Sequence, residues 1–266
     1  VSNPRASTRA RQATLLRLLR EGVSAVEELA AKTGVSPSTV RRDLDRMRVE
    51  GQVARTYGGA IVTSPFQERS VVESARHGRA AKAAIARAAL PLVPLEGRIF
   101  LDAGTTCAAL AALLAARTPE GDAPGGGLTV VTRGLEIAVA LADSGVAVEL
   151  LGGRLRRMSH ALVGPLASLA LDRMAFDVAF LGADAVDPAR GVGEPTVEET
   201  VVKEQVAART ARTVVLADTS KLAERTAPAW TVLEGGWTLV TDAVESPAGL
   251  AERCAAHQVE LVLAPS

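Results

Sequence analysis

The sequence predicts an α/β chain in two parts: a small N-terminal head of short helices closed by a two-stranded hairpin, then a mostly parallel sheet covered by helices. Three observations carry this expectation. Between residues 34 and 47 a turn, a helix cap and an apolar stripe follow one another at helical spacing. From about residue 80, short apolar strands alternate with helical stretches, the pattern of a parallel sheet between helix layers. The zero net charge hides an asymmetry: residues 1–60 hold eleven Arg or Lys and six Asp or Glu, a net of +5, and the remainder carries −5. A basic head on an acidic body is the electrostatic footprint of a nucleic-acid reader joined to something else.

In the head, residues 11–20 form a first helix that packs through Leu15, Leu16, Leu18 and Leu19. Val26, Leu29 and Ala30 share one face of a second helix, and Gly34 ends it where a left-handed residue is wanted. Ser36 caps the third helix through its hydroxyl, and Pro37 takes the first helical position, where its missing N–H costs nothing. Val40, Leu44 and Met47 point inward; Ser38, Arg42 and Asp45 point outward, flanked by Thr39, Arg41 and Arg46. Short polar and forked cationic side chains on such a face suit base edges and phosphates in a major groove. Residues 51–62 read as a hairpin wing around Gly58-Gly59, with Arg55 and Thr56 placed for phosphates. The expected partner is double-stranded DNA, met by Ser36, Ser38, Thr39, Arg41, Arg42, Arg55 and Thr56. The expected domains are 1–62, a winged helix-turn-helix, and 80–266, an α/β body, with 63–79 as a linker running into a helix.

Composition narrows the rest. Cys107 and Cys254 are too few for a disulfide framework or a zinc site, which implies a reduced, cytoplasmic compartment. His77, His160 and His257 form no ligand-spaced cluster, so no metal or cofactor is expected. No signal peptide is visible. The longest wholly apolar run, 107–116, is far short of the roughly 20 residues that span a bilayer.

In the body, strands are expected at 98–102, 128–132, 146–151, 178–181, 213–217, 237–241 and 260–263. Helices are expected at 105–116, 135–142, 163–173, 197–211 and 248–257, and a loop at 119–127. Ligands of such sheets collect at the carboxyl ends of the strands, and polar motifs cluster there. Asp102-Ala-Gly-Thr-Thr106 follows the first strand and opens a helix. Gly104 lets the backbone come close, and Thr105, Thr106 and the helix N-terminus suit a phosphate. Gly152-Gly153-Arg154, Gly182-Ala-Asp184 and Ala217-Asp-Thr-Ser-Lys221 close further strands, and Lys203 lies on a helix between. Together they imply an anionic, hydroxylated small ligand.

These residues together resemble the DeoR family of bacterial transcriptional regulators. In the head the resemblance rests on Gly34-Val-Ser…Thr39-Val-Arg-Arg-Asp-Leu44, Gly51 and Arg55-Thr-Tyr-Gly-Gly-Ala60. In the body it rests on Phe66…Arg69, Asp102–Thr106, Gly152-Gly153, Gly164-Pro165, Gly182–Asp184, Lys203 and Asp218-Thr-Ser-Lys-Leu222. It implies a winged helix-turn-helix joined to a sugar-phosphate sensor, acting as a homodimer or homotetramer that represses a carbohydrate-catabolic operon. Thr105 and Thr106 would hold the phosphate, Lys203 and Lys221 would supply charge, and Asp102 and Asp184 would hold sugar hydroxyls.

The sensor of that family is similar in fold to ribose-5-phosphate isomerase, so a sugar-phosphate isomerase-like enzyme with a DNA-binding head is the rival reading. Here the first aspartate of the isomerase Asp-Gly-Ala-Asp motif is Leu181. The lysine-glycine loop is replaced by Gly191-Val-Gly-Glu-Pro195, and the catalytic glutamate position falls close to Lys203. A protonated lysine is no carboxylate base, which favours binding without turnover. Two departures from the regulator pattern stand out. Tyr57 occupies a wing position where histidine is more usual, and Thr132-Arg133 stands where Thr-Asn is common. If Arg133 faces the pocket, it changes which ligand fits.

Overall fold

The computed structural model describes residues 4–20, 22–49, 52–62, 68–116, 127–222, 227–234, 236–242 and 249–265. The chain divides into two compact units, Val1–Gln67 and Glu68–Ser266. Gly51, Phe66 and the expected loop up to residue 126 lie outside the described residues, as does the 63–67 part of the expected linker.

The first unit contains α1 (Pro4–Arg20), α2 (Val26–Thr33), α3 (Pro37–Val49), β1 (Val53–Thr56) and β2 (Gly59–Val62). Its core joins Leu15, Leu18 and Leu19 to Val26, Leu29, Ala30, Val40, Leu44 and Met47, the stripes expected from periodicity. Gly34 ends α2 at φ +68°, and its N–H donates to the carbonyl of Ala30. A half-buried pair absent from the sequence reading fixes α3: Asp43 accepts from Arg11 of α1 at 2.6 Å. The strands pair Thr56 with Gly59, so the tip is Tyr57-Gly58, one residue earlier than expected. The reason is steric. Gly59 sits against the chain before α2, where a Cβ would lie 2.0 Å from the Ser24 carbonyl oxygen, while Gly58 takes the positive φ of +81°.

The second unit begins with α4 (Val71–Arg76) and α5 (Arg79–Ala89). Residues 68–79 are thus structured parts of this unit, where the sequence suggested a linker. Ser70 and Glu73 form a reciprocal capping box, which starts a helix even in a short segment, and the Val71 N–H donates to the Met158 carbonyl at 2.7 Å.

There follow β3 (Gly97–Leu101), α6 (Thr105–Ala115), β4 (Leu128–Thr132), α7 (Leu135–Leu141), β5 (Ala147–Leu150), β6 (Arg154–Leu155), β7 (Leu162–Val163), α8 (Pro165–Leu171) and β8 (Phe176–Leu181). Next come β9 (Ala185–Asp187), β10 (Gly191–Glu194), α9 (Val197–Ala207), β11 (Thr210–Leu216), β12 (Ala229–Thr231), β13 (Thr238–Asp242), α10 (Leu250–Ala256) and β14 (Glu260–Ala264). Seven strands form one sheet in the order β14-β13-β11-β8-β3-β4-β5, every pair parallel. Alternation along β3 sends Ile99 and Leu101 to one core and Phe100 to the other. Helices α5, α6 and α7 cover the first face and α8, α9 and α10 the second.

The departures from the expected elements are antiparallel additions and shifted helix boundaries. β9, β10 and β12 make a separate three-stranded sheet, and β6 pairs with β7. The helix expected from residue 163 starts at Pro165, because Leu162 and Val163 belong to β7. The helix expected over 197–211 stops at Ala207, and Thr210 already opens β11.

Strand order reverses at β3, whose neighbours β4 and β8 lead outward in opposite directions. The crevice beyond the carboxyl ends of β3 and β8 is the topological switch point, where open α/β sheets place their ligands.

Candidate functional site

The outward face of α3 carries the head's polar residues. Ser36 accepts from the Thr39 N–H at 3.2 Å and links to the hydroxyls of Ser38 at 2.8 Å and Thr39 at 2.9 Å. Ser36, Ser38, Arg41 and Arg42 are exposed, and Thr39 is half-buried. Arg41 is paired with Glu27 of α2 at 3.1 Å. Arg55 is paired with Asp45 at 2.9 Å, which draws the wing beside α3. Thr56 is exposed, and Tyr57 at the tip is fully so, at 109 %. Exposed pairs of this kind hold together weakly, so neither carboxylate holds its arginine firmly.

In the second unit a cavity of about 320 Å³ opens at the switch point. Asp102, Gly104, Thr105 and Thr106 after β3, Asp184 after β8, Lys203 from α9 and Lys221 after β11 all line it, although they are scattered over half the chain. Gly152, Gly153 and Arg154 do not. Gly153 is needed where β6 turns against β7, since a Cβ would stand 2.6 Å from the Val163 carbonyl oxygen. Arg154 is exposed and pairs with Glu198.

The expected roles of Asp102 and Lys203 need correction. Asp102 is fully buried. One of its oxygens accepts from Arg133 Nε at 2.6 Å and the Ala103 N–H at 2.8 Å. The other accepts from the Gly182 N–H at 3.3 Å and lies 3.1 Å from Lys203 Nζ. A carboxylate has about four acceptor positions, so none is left for a sugar hydroxyl. Lys203 likewise spends its three donors on Asp102, Glu194 and the Gly182 carbonyl. Both side chains are framework.

They belong to a chain of alternating charges that the sequence did not reveal. Glu68 grips Arg156 through two bonds of 2.9 Å, and Arg156 reaches Glu199 at 2.7 Å. Glu199 stands 3.8 Å from Arg133; Asp102, Lys203 and Glu194 complete the series. Burial alone would raise the Asp102 carboxyl, but the Arg133 and Lys203 cations outweigh it and hold it below its ordinary value. Burial opposes the charges on Lys203 and Arg133, and the surrounding carboxylates hold both above their ordinary values. Burial pushes Glu194 up to about 8, against the pull of Lys203 and with the push of Glu199 and Asp184. A lysine held in its charged form is no general base.

The remaining lining of the cavity differs. Gly104 stands at φ +105° before α6, and neither the Thr105 nor the Thr106 hydroxyl has a partner among the described residues. Lys82 of α5, which sequence reasoning missed, donates to the carbonyls of Ser74 at 2.6 Å and His77 at 2.8 Å. Burial pushes its ammonium down; Asp218 opposes that, and Lys221 and Arg69 add to it. Lys221 is paired with Asp184 at 2.7 Å. The former linker walls the cavity through Glu68, Arg69, Val71, Ser74, His77 and Gly78. Nothing in the periodicity around residue 70 announces this, but the Ser70…Glu73 capping signature does mark a helix start.

Among the described residues, no group of three His, Cys, Asp or Glu side chains is arranged to hold a metal ion, and no helix is long and apolar enough to cross a membrane. Both cysteines are buried and unpaired.

Known proteins match in the same two blocks. The DeoR-like helix-turn-helix domain matches residues 11–66 and the DeoR C-terminal sensor domain matches residues 78–243. A putative aga operon transcriptional repressor of Escherichia coli O157:H7 is 34% identical over 215 residues, covering 79% of this chain and 77% of its own. The HTH-type transcriptional regulator GlpR of Haloferax volcanii is 34% identical over 218 residues, covering 82% of each chain. Among solved structures, ribose 5-phosphate isomerase A from Neisseria gonorrhoeae is 20% identical and covers 54% of this chain and 53% of its own at a TM-score of 0.38. The chain belongs to the DeoR family, a family of DNA-binding transcriptional regulators and not of enzymes.

Proposed function

We propose that this regulator represses a carbohydrate-catabolic operon, that a phosphorylated sugar in the cavity of the second unit sets its operator affinity, and that it works in the cytoplasm as a homodimer or homotetramer. Ser36, Ser38, Thr39, Arg41 and Arg42 face the operator, with Arg55 and Thr56 on the backbone.

The observation that carries the effector reading is the polarity of the cavity. Part of its lining is a network of ion pairs among Glu199, Arg133, Asp102, Lys203 and Glu194. The rest offers the open N-terminus of α6, two unpartnered hydroxyls and Lys82, which no carboxylate hydrogen-bonds among the described residues. Free N–H groups, the helix dipole and an ammonium that donates only to carbonyls match a phosphate. Asp184 and Lys221 line the same cavity and would meet sugar hydroxyls. The names of relatives support the same reading, among them a lactose phosphotransferase system repressor of Lactococcus lactis, 34% identical over 169 residues.

A thermal-shift screen of sugar phosphates tests this, because a ligand at 100 times its dissociation constant adds about 2.7 kcal/mol. The double variant Thr105→Ala, Thr106→Ala should bind the hit one to a few decades more weakly, at roughly 1.5–3 kcal/mol per charge-assisted bond. It should still bind the operator. Unchanged calorimetric affinity would place the phosphate elsewhere.

Exposed apolar side chains support an oligomer. Leu166 and Leu169 on α8 are 63% and 53% exposed, and Val197 on the adjoining α9 is 69% exposed; such residues are normally covered in self-complementary interfaces. Light scattering should read a multiple of the 27.5 kDa chain, and Leu166→Glu with Leu169→Glu should reduce it. A wild-type protein that stays at one chain mass would remove this part of the reading.

A further inference from the structure

The wall of the cavity contains a buried donor whose hydrogen bond is not made. Arg133 follows β4, is 2% exposed and lines the cavity. Its Nε donates to Asp102. Its Nη1 has no hydrogen-bond partner among the described residues, and Glu199 Oε1 stands 3.8 Å away, beyond hydrogen-bond reach. Glu199 does not close that gap because its other oxygen is held by Arg156 at 2.7 Å. A buried guanidinium N–H left unpaired is costly, and native sites supply an acceptor. The buried cation beside it, Lys203, has already spent its donors.

Charge says what the acceptor is. The guanidinium already has two carboxylates about it, Asp102 and Glu199. A third anionic oxygen would be repelled by both, whereas a neutral hydroxyl or carbonyl oxygen would not. A phosphate is matched instead by Lys82 and the start of α6, which line the same cavity.

We infer that Arg133 is a ligand-contacting specificity residue, its unpaired guanidinium N–H groups donating to a neutral oxygen of the sugar while the phosphate sits at Lys82 and the start of α6. The inference rests on the sugar-phosphate reading of the cavity and adds which oxygen chemistry is selected. A site built around a hydrogen bond to a hydroxyl rejects the analogue lacking it, because its own buried donor is then left unpaired.

Calorimetric titration of the full chain tests it with inorganic phosphate, ribose 5-phosphate, glucose 6-phosphate and fructose 1-phosphate. Arg133→Lys keeps a cation opposite Asp102 but withdraws the Nη1 donor. It should weaken the sugar phosphate that binds wild type by roughly tenfold to a hundredfold, and inorganic phosphate by no more than about twofold. Equal losses for both would make Arg133 a positioning residue acting through Asp102, and no loss would take it out of the site; either result overturns the inference. If the variant does not fold, wild type decides alone. Deoxy analogues of the bound sugar phosphate, taken one hydroxyl at a time together with the reduced carbonyl form, must include one that loses the same factor. A series in which every analogue binds like its parent overturns the inference. Wild type binding none of the sugar phosphates is a separate failure, because it removes the effector reading before any variant is made.

Discussion

Asp102→Asn is expected to lower the thermal unfolding midpoint of the second unit by roughly 6–20 °C, from about 3–5 kcal/mol for breaking a buried ion network and 2–4 °C per kcal/mol in a domain of this size. The substitution changes no volume and removes one charge. It leaves Arg133 with Glu199 alone at 3.8 Å, and Lys203 with Glu194, whose own carboxyl is pushed up to about 8 by burial. Two buried cations then share little negative charge. The amide's NH2 also confronts donors already in place, whichever way it is turned. The pH dependence has a definite sign. The folded-state pKa of Asp102 is depressed, so its contribution is present above the unfolded carboxylate range and fades as pH falls through the folded value. Variant and wild type should therefore differ most near neutrality and converge in acid. Calorimetry of the full chain across pH reads both effects. A loss under 2 °C at neutral pH would mean that water reaches the network and replaces the missing charge.

Arg41→Ala combined with Arg42→Ala is expected to abolish sequence-specific DNA binding at physiological salt. Arg42 is exposed on α3 with no ion-pair partner among the described residues, and Arg41 is held only by Glu27. An arginine reading a guanine edge is worth about 1–3 kcal/mol, and one on a phosphate reduces the salt slope by about one unit. The two single variants should separate these roles. Arg42→Ala should relax specificity at one base pair. Arg41→Ala should weaken binding to all sequences alike and flatten its dependence on salt. Fluorescence anisotropy at several salt concentrations, on a duplex selected by wild type from a random pool, measures both. Wild-type affinity in the double variant would move the DNA interface off α3.

Much of the fold was legible because it is local. Gly34, Ser36 and Pro37 lie within four residues, and their hydrogen bonds close within a single turn, so the head's second and third helices could be placed from the chain alone. The parallel strands were legible for a related reason: each is a short apolar run bounded by turn chemistry. Where local signals ran together, the boundaries slipped. No glycine or proline separates α9 from β11, and only pairing with β8 makes Thr210 a strand residue. The small sheet of β9, β10 and β12 was missed because β12 joins β10 across all of α9 and β11.

The cavity divides along the same line. The sequence by itself determined that Asp102, Thr105, Thr106, Asp184, Lys203 and Lys221 meet at one edge of the sheet, because each follows a parallel strand or its covering helix. Tertiary structure alone decided what each of them does there. Asp102 and Arg133 are 31 residues apart and Glu68 and Arg156 are 88 apart, and no spacing rule selects such partners. Once paired, Asp102 and Lys203 have no free lone pair or proton, while Lys82 donates only to the carbonyls of Ser74 and His77. Residue type is written in the chain, but whether a charge is available to a ligand depends on what burial places against it.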